Sequence, residues 1–420
     1  MKKDRVEAIS DGVMAVAITL LVIDLDVDAK SPEPLATQLR SQWPSFAAYL
    51  MSFFVIGALW LNHHNLFRLA TRIDRRIMVY NLLMLLLVAA VPFATKIYAE
   101  YVLAGGANAR TAVLLYGGTL EAISLILSLM LVHLVRARHT DPPLSSTDAR
   151  RLVLRNAAGT VLGPVAIAAG MLKPILLLIL GIAAVAFYLG PGLSALEMRF
   201  SRPVHHGGRR MEKNRVESFS DAVLAVAMTI LVLYLDVDDH SPDSLATQLF
   251  RQWPSFAAFA LSFLVVATVW LQHRSLFRLA TEIDQRMIVY NLALLLFVVT
   301  IPFATYTYAD YVLAGGTNAR IAVIVVGVAI YAMALSLSGI LIHIVRGGLL
   351  DPRIAAGQAK RMLLRYNLGT LLGVPAFAIS MLYPILALPV GLALVGYYAG
   401  PGLRAVNILG SNRDAPQKGE

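Results

Sequence analysis

One repeat constrains this chain more than any other feature. RVEAISD at 5–11 returns as RVESFSD at 215–221, and SPEPLATQL at 31–39 as SPDSLATQL at 241–249. QWPSFAA at 42–48 returns at 252–258. YVLAGGANAR at 101–110 returns as YVLAGGTNAR at 311–320, and LGPGL at 189–193 as AGPGL at 399–403. Every pair is offset by 210 residues, so the copies align without a gap. A single fold is therefore written twice. The unit is apolar: 58% of the residues are hydrophobic and only 15% are charged, against about 25% charged in an ordinary soluble domain. Several apolar runs reach the roughly 18 residues needed to cross a bilayer core. They show no period-2 alternation, which excludes membrane strands.

The expectation is an all-α membrane protein of two parallel six-helix repeats, with 12 transmembrane helices. The first-repeat spans fall at about 8–25, 45–67, 78–99, 111–134, 153–172 and 174–195, and the second-repeat spans 210 residues later. The first repeat covers 1–198, a cytoplasmic linker 199–214, the second repeat 215–409, and a disordered tail 410–420. Lys2 and Lys3 precede a segment that recurs internally, so no removable leader is expected.

The net charge of +10 resembles a nucleic-acid footprint until it is placed. With the N-terminus in the cytoplasm, 29 of the 36 Lys and Arg residues fall on the inner side and 7 on the outer. Such an asymmetry is the positive-inside signature. Both termini are then cytoplasmic in a multi-pass cell (inner) membrane protein. The basic face meets lipid headgroups, and no nucleic acid is needed. Six spans return the chain to the same side, so the repeats are parallel.

The first helix of each repeat is unusual. Only 12 residues separate Asp11 from Asp24, and 14 separate Asp221 from Asp236. To cross, this helix carries Ser10 and Asp11 (Ser220 and Asp221) toward the membrane. An acid there is costly unless it faces protein or water. Either these helices line a central cavity, or the Ser-Asp pair caps a helix at the interface. Val16, Leu20 and Ile23, repeated as Val226, Ile230 and Leu233, share one stripe, with Thr19 and Thr229 beside it. The stripe is either a set of apolar constrictions with a hydroxyl layer or ordinary core packing with threonines bonded to their own helix. Trp60 and His63, repeated as Trp270 and His273, share a face near the cytoplasmic end of the second helix. They form either a polar network with Arg5/Arg215 and Asp11/Asp221 or an interfacial aromatic belt. His133 and His343 mark an interface. Pro92 and Pro302 kink the third helix.

Arg-x-x-x-Phe-Ser-Asp opening an apolar first helix resembles the signature of the transmembrane protein 175 family of potassium channels. The second copy matches fully with Arg215, Phe219, Ser220 and Asp221. The first has Arg5, Ser10 and Asp11, with Ile9 in place of Phe. The six-helix repeat, the external Trp-Pro and the Trp-x-x-His fit as well. The resemblance implies a potassium-selective, leak-type pore lined by the first helix of each repeat, helices 1 and 7 of the chain. It implies no TVGYG filter, and the sequence has none. Its constriction is expected at Val16 and Val226, a role that Leu20/Ile230 and Ile23/Leu233 can share, with Thr19 and Thr229 as the hydroxyl layer. The family builds its pore from four repeats, so a homodimer is expected. Potassium is the permeant ion, and neither a cofactor nor a resident metal is expected. A secondary transporter with two parallel halves is the alternative. No HExxH, no GxSxG and no carboxylate-histidine cluster points to an enzyme.

Overall fold

The computed structural model describes residues 3–137, 140, 146–189, 206–235, 244–354 and 356–399, and all its long elements are helices. The chain falls into two compact units. Met1–Leu25 and Arg40–Pro203 form the first; Asp26–Leu39 and Val204–Glu420 form the second. The division follows the repeat except for 26–39, which lies in the first repeat's sequence and belongs to the second unit.

In the first unit, α1 (Lys3–Leu20) runs into a 3-10 turn, Leu21–Asp24. Then come α2 (Leu35–Ser41, of which 35–39 belong to the second unit), α3 (Trp43–Leu69), α4 (Arg75–Tyr101), α5 (Gly106–Arg136), α6 (Ser146–Leu172) and α7 (Ile175–Leu189). α1 packs on α3 and α4, α4 on α5, α5 on α6, and α7 on α3 and α6. The second unit repeats this order: α8 (His206–Ile230) with the 3-10 turn Leu231–Tyr234, α9 (Leu245–Arg251), α10 (Trp253–Leu279), α11 (Gln285–Tyr311), α12 (Gly316–Arg346), α13 (Ala356–Leu382) and α14 (Ala387–Ala399). The packing pairs are the same ones.

Local chemistry explains the boundaries. Trp-Pro opens α3 and α10, with proline in the first turn, where its missing N–H costs nothing. Asp74 caps α4 by accepting from the Ile77 amide at 2.9 Å, and Asp284 caps α11 through Met287 at 2.9 Å. The repeated Gly-Gly supplies the chain reversal into α5 and α12. Gly105, Gly106, Gly315 and Gly316 all have φ between 62° and 70°, a region that side chains disfavour. Pro92 and Pro302 lie inside α4 and α11. Tyr98 donates to the Pro174 carbonyl at 2.8 Å, and Tyr308 to Pro384 at 3.0 Å. These bonds seat the fifth-to-sixth-helix turn of each repeat against its third helix.

Three expectations differ. The first helix starts at Lys3, not near residue 8, because its polar opening residues are themselves helical, and Lys3 donates to the Ala70 carbonyl at 3.0 Å. In the second repeat it starts at His206, inside the segment read as a linker; 199–205 lie outside the described residues, as does the tail at 410–420. Two seven-residue helices, α2 and α9, precede the second span of each repeat. Among the described residues nine helices are long and apolar enough to cross a membrane. Three shorter apolar helices, Thr160–Leu172, Ile175–Val185 and Pro384–Ala399, complete the described set.

Candidate functional site

Asp11 sits well inside α1, so the capping alternative fails. Its neighbourhood is built from two separate sets of bonds. In the first set, the Trp60 indole on α3 donates to Asp11 Oδ1 at 2.9 Å, and Asp11 is only 5% exposed. The second unit reproduces the bond: Trp270 donates to Asp221 Oδ1 at 2.8 Å. A carboxylate inside an apolar helix needs a donor, since burying it without one costs several kcal/mol. Tryptophan supplies the donor on an apolar body.

The other set is centred on a residue the sequence reading did not single out. Asn81 on α4 donates from Nδ2 to Ser10 Oγ at 3.0 Å and accepts at Oδ1 from His63 Nε2 at 2.9 Å. Ser10 passes its own proton to the Val6 carbonyl at 2.8 Å. In the second unit Asn291 donates to Ser220 Oγ at 2.9 Å and accepts from His273 Nε2 at 2.8 Å, and Ser220 donates to Val216 at 2.8 Å. All six side chains are buried. The arrangement ties the first helix to the second and third at one level. Each histidine ring also lies against a phenylalanine, Phe67 at 4.2 Å and Phe277 at 4.1 Å between centroids. The signal for the asparagines was present in the sequence: one polar residue kept at the same place in two apolar runs.

Of the two alternatives for Trp60 and His63, the polar network describes these bonds, but as two separate sets. Trp60 and Asp11 belong to one, His63 and Ser10 to the other, and likewise in the second unit. Arg5 is exposed and appears in neither set among the described residues, while Arg215 is half-buried. Phe219 is fully buried, but Ile9 at the matching position is exposed. His133 and His343 pair with the capping aspartates, at 2.6 Å to Asp74 and 2.8 Å to Asp284. They join the end of the fourth helix to the start of the third.

Pinned on one side, the first helix leaves another side open. Val16 is exposed and Leu20 half-buried on α1, which is otherwise largely buried, and Ile23 is exposed in the 3-10 turn that follows it. At the matching positions Leu233 is exposed, Val226 half-buried and Ile230 buried. Thr19 donates to the Val16 carbonyl at 2.8 Å and Thr229 to Val226 at 2.9 Å. Both hydroxyl protons are therefore held by the helix itself, and the oxygen lone pairs remain to accept or to coordinate. Thr19 is buried and Thr229 is exposed. Among the described residues no group of three or more His, Cys, Asp and Glu side chains could hold a metal ion.

Similarity to other proteins follows the same stretches. The model of the family described as "Endosomal/lysosomal potassium channel TMEM175" matches residues 5–92 and again 215–302. A protein of Streptomyces collinus named as a potassium channel is 44% identical over 159 residues, covering 37% of this chain and 77% of the relative. One from Chamaesiphon minutus, also named as a potassium channel, is 42% identical over 136 residues, covering 32% of this chain and 66% of the relative. The rat protein named as the endosomal/lysosomal proton channel TMEM175 is 23% identical over 337 residues, covering 71% of this chain and 65% of the relative. Among solved structures, a lysosomal potassium-selective channel TMEM175 homolog from Chamaesiphon minutus matches at 32% identity, with a TM-score of 0.39. That match covers 44% of this chain and 95% of the other.

Proposed function

We infer the function from one premise that those matches establish: the chain belongs to the TMEM175 family. The family is one of ion channels and not of enzymes, and this chain is a multi-pass membrane protein. We propose that it is a potassium channel of the leak type, whose pore is lined by α1 and α8. The observation that carries the reading is the treatment of the first helix. In both units a buried Ser-Asn-His set and an Asp-Trp bond fix one side of it, while a stripe through Val16 and Ile23, and through Leu233, stays open. A helix held this firmly on one side presents the other at a fixed register, which a constriction requires. Val16/Val226, Leu20/Ile230 and Ile23/Leu233 supply apolar rings that hinder ions by dewetting. The oxygens of Thr19 and Thr229 form the hydroxyl layer, and no TVGYG filter takes part.

The twelve-span count follows if the three shorter apolar helices cross as well. The charge asymmetry then puts both termini in the cytoplasm of a cell membrane. A second copy completes four repeats around the pore. Potassium passes as the permeant ion, with no cofactor. The rat relative's name makes proton conduction the reading to separate; the two bacterial relatives named as potassium channels have the higher identities.

The test is flux from liposomes loaded with potassium salt, followed by a pH dye with and without a protonophore. Potassium flux that requires the protonophore for charge balance, and that does not saturate, is expected. Dye movement without the protonophore indicates proton conduction. Saturable, proton-coupled flux indicates a transporter, and no flux above empty liposomes ends the channel reading.

A further inference from the structure

The helices of the second unit enclose a space that the first-helix site does not use. A cavity of about 150 Å³ lies among α10, α11, α12, α13 and α14. Its wall runs from Ala258 to Gln272 on α10, from Val323 to Leu337 on α12 and from Tyr366 to Ser380 on α13. Each stretch advances 14 residues, or about 21 Å at roughly 1.5 Å per residue. The space is therefore a long, thin slot. Missing side chains make part of it: Gly369 and Gly373 lie one turn apart on the α13 wall, with Gly327 on α12 and Gly391 on α14.

Both ends of the slot are closed. At one end the Tyr366 hydroxyl donates to Gln272 Oε1, Gln272 Nε2 to the Tyr398 carbonyl, and Thr370 to the Tyr366 carbonyl at 3.1 Å. These groups bond one another. At the other end Ala258, Tyr308 and Val323 are buried in one apolar cluster. Between the ends, wall residues Val326, Ile330 and Leu394 are half-buried. The slot is thus reached from the side of the bundle, along helices long and apolar enough to cross a membrane, and not from water at either face. A void with an apolar lining stays dry and takes an apolar guest. Left empty, it forfeits the dispersion contacts of the side chains around it.

The first unit differs on the matching wall. Glu121 stands at the place of Tyr331, and Met51 at that of Leu261. Glu121 Oε2 lies only 1.7 Å from where a side chain at Gly163 would begin, and the Met51 terminal methyl 2.1 Å from the same point at Gly181. A carboxyl on this wall disfavours a hydrocarbon guest, because it needs a polar partner. The slot is assigned to the second repeat for that reason.

We propose that the slot binds one acyl chain of a bilayer phospholipid, which enters from the side and lies along the helices. Its length exceeds the roughly 15 Å that one leaflet of a hydrocarbon core of about 30 Å spans, so it accommodates a whole chain. Val269 and Gln272 on the wall are next in sequence to Trp270 and His273, which bond Asp221 and Asn291. A chain in the slot therefore backs the helix that fixes α8.

The test places the full chain in liposomes of phosphatidylcholine that carries a diazirine midway along one acyl chain. After illumination, adducts are mapped residue by residue with peptide mass spectrometry. Adducts are expected on Met333 and Leu337, which line the slot and are 1% and 4% exposed, as well as on Leu335, the surface reference at 51%. Labelling of Leu335 with Met333 and Leu337 clean overturns the proposal. Interior labelling by a free diazirine fatty acid, but not by the phospholipid, overturns the phospholipid as the occupant. Ala334→Leu fills the slot from α12 and should lower interior labelling at least about fivefold against Leu335, since a close-packed interior leaves no room beside the added side chain. Tyr331→Glu gives the wall the first unit's chemistry and should do the same. Interior labelling that persists in both variants, with Leu335 still labelled, overturns the assignment to the slot. The readout needs no ion flux, so it stands or falls apart from the channel reading.

Discussion

In the first unit Trp60 donates to a buried Asp11, and the His64 ring stacks on the indole at 5.8 Å. In the second, Trp270 donates to an exposed Asp221, and the Arg274 guanidinium stands 5.8 Å over its ring. The bond is the same to 0.1 Å, yet its neighbour, one helical turn along, has changed from an aromatic to a cation. The Ser-Asn-His set shows no such drift, with matching partners, closely matching distances and burial on both sides. The difference teaches which part of the site is inflexible. A buried polar set stays whole because losing one member orphans the others. A bond at a wet edge keeps only its donor and acceptor and leaves its surroundings free to vary.

The largest effect should come from the asparagines, and it should be equal in the two units. Asn81→Ala and Asn291→Ala each remove two bonds and leave a buried serine and histidine short of a partner. Each should cost about 3 kcal/mol, read as an unfolding shift by circular dichroism in detergent. If one asparagine proves silent, the two sets are not equivalent and the reading of the site as a repeated anchor is broken.

The tryptophans should separate the units. Trp60→Phe takes the indole donor from a carboxylate that is 5% exposed, and should cost about 2 kcal/mol. Trp270→Phe removes the same bond from an exposed carboxylate that water can serve, and should cost under about 1 kcal/mol. Equal losses would mean that Asp221 is as dry as Asp11 in the functional assembly, which sharpens the case for a covering second copy.

How much of this could be read beforehand differs from residue to residue. Repeat, helical class and Trp-Pro helix starts follow from spacing and from the matched copies, whereas for Trp60 and Trp270 spacing leaves a polar network and an interfacial belt both open, and only the structure pairs them with Asp11 and Asp221. Ser10 and His63 were identifiable as polar groups in apolar surroundings, but their common partner was not. Asn81 lies 71 residues from Ser10 and 18 from His63, and no local period links them. The early start of α1 was missed because Lys, Asp, Arg and Glu in its first turns look like loop, whereas Lys3 finds its acceptor 67 residues away at Ala70. α2 and α9 are too short for a helical period to show. That 26–39 belongs to the second unit rests on bonds spanning about 280 residues, which nothing in the segment's own composition signals.

The smallest effect belongs to Arg274. Its guanidinium is exposed, so its attraction to the Trp270 ring is screened and should be worth at most about 1 kcal/mol. Arg274→Ala should therefore lower stability by about 0.5 kcal/mol at low salt and by less at high salt, where the Debye length falls to about 3 Å at 1 M. His64→Ala in the first unit offers the matching measurement, and its loss should not depend on salt if the stack is a packing contact between rings. A salt-independent Arg274→Ala would show the side chain acting through its apolar stem on the indole. The exchange of histidine for arginine would then have changed only the charge, while the same packed cover over the Asp-Trp bond was kept in both units.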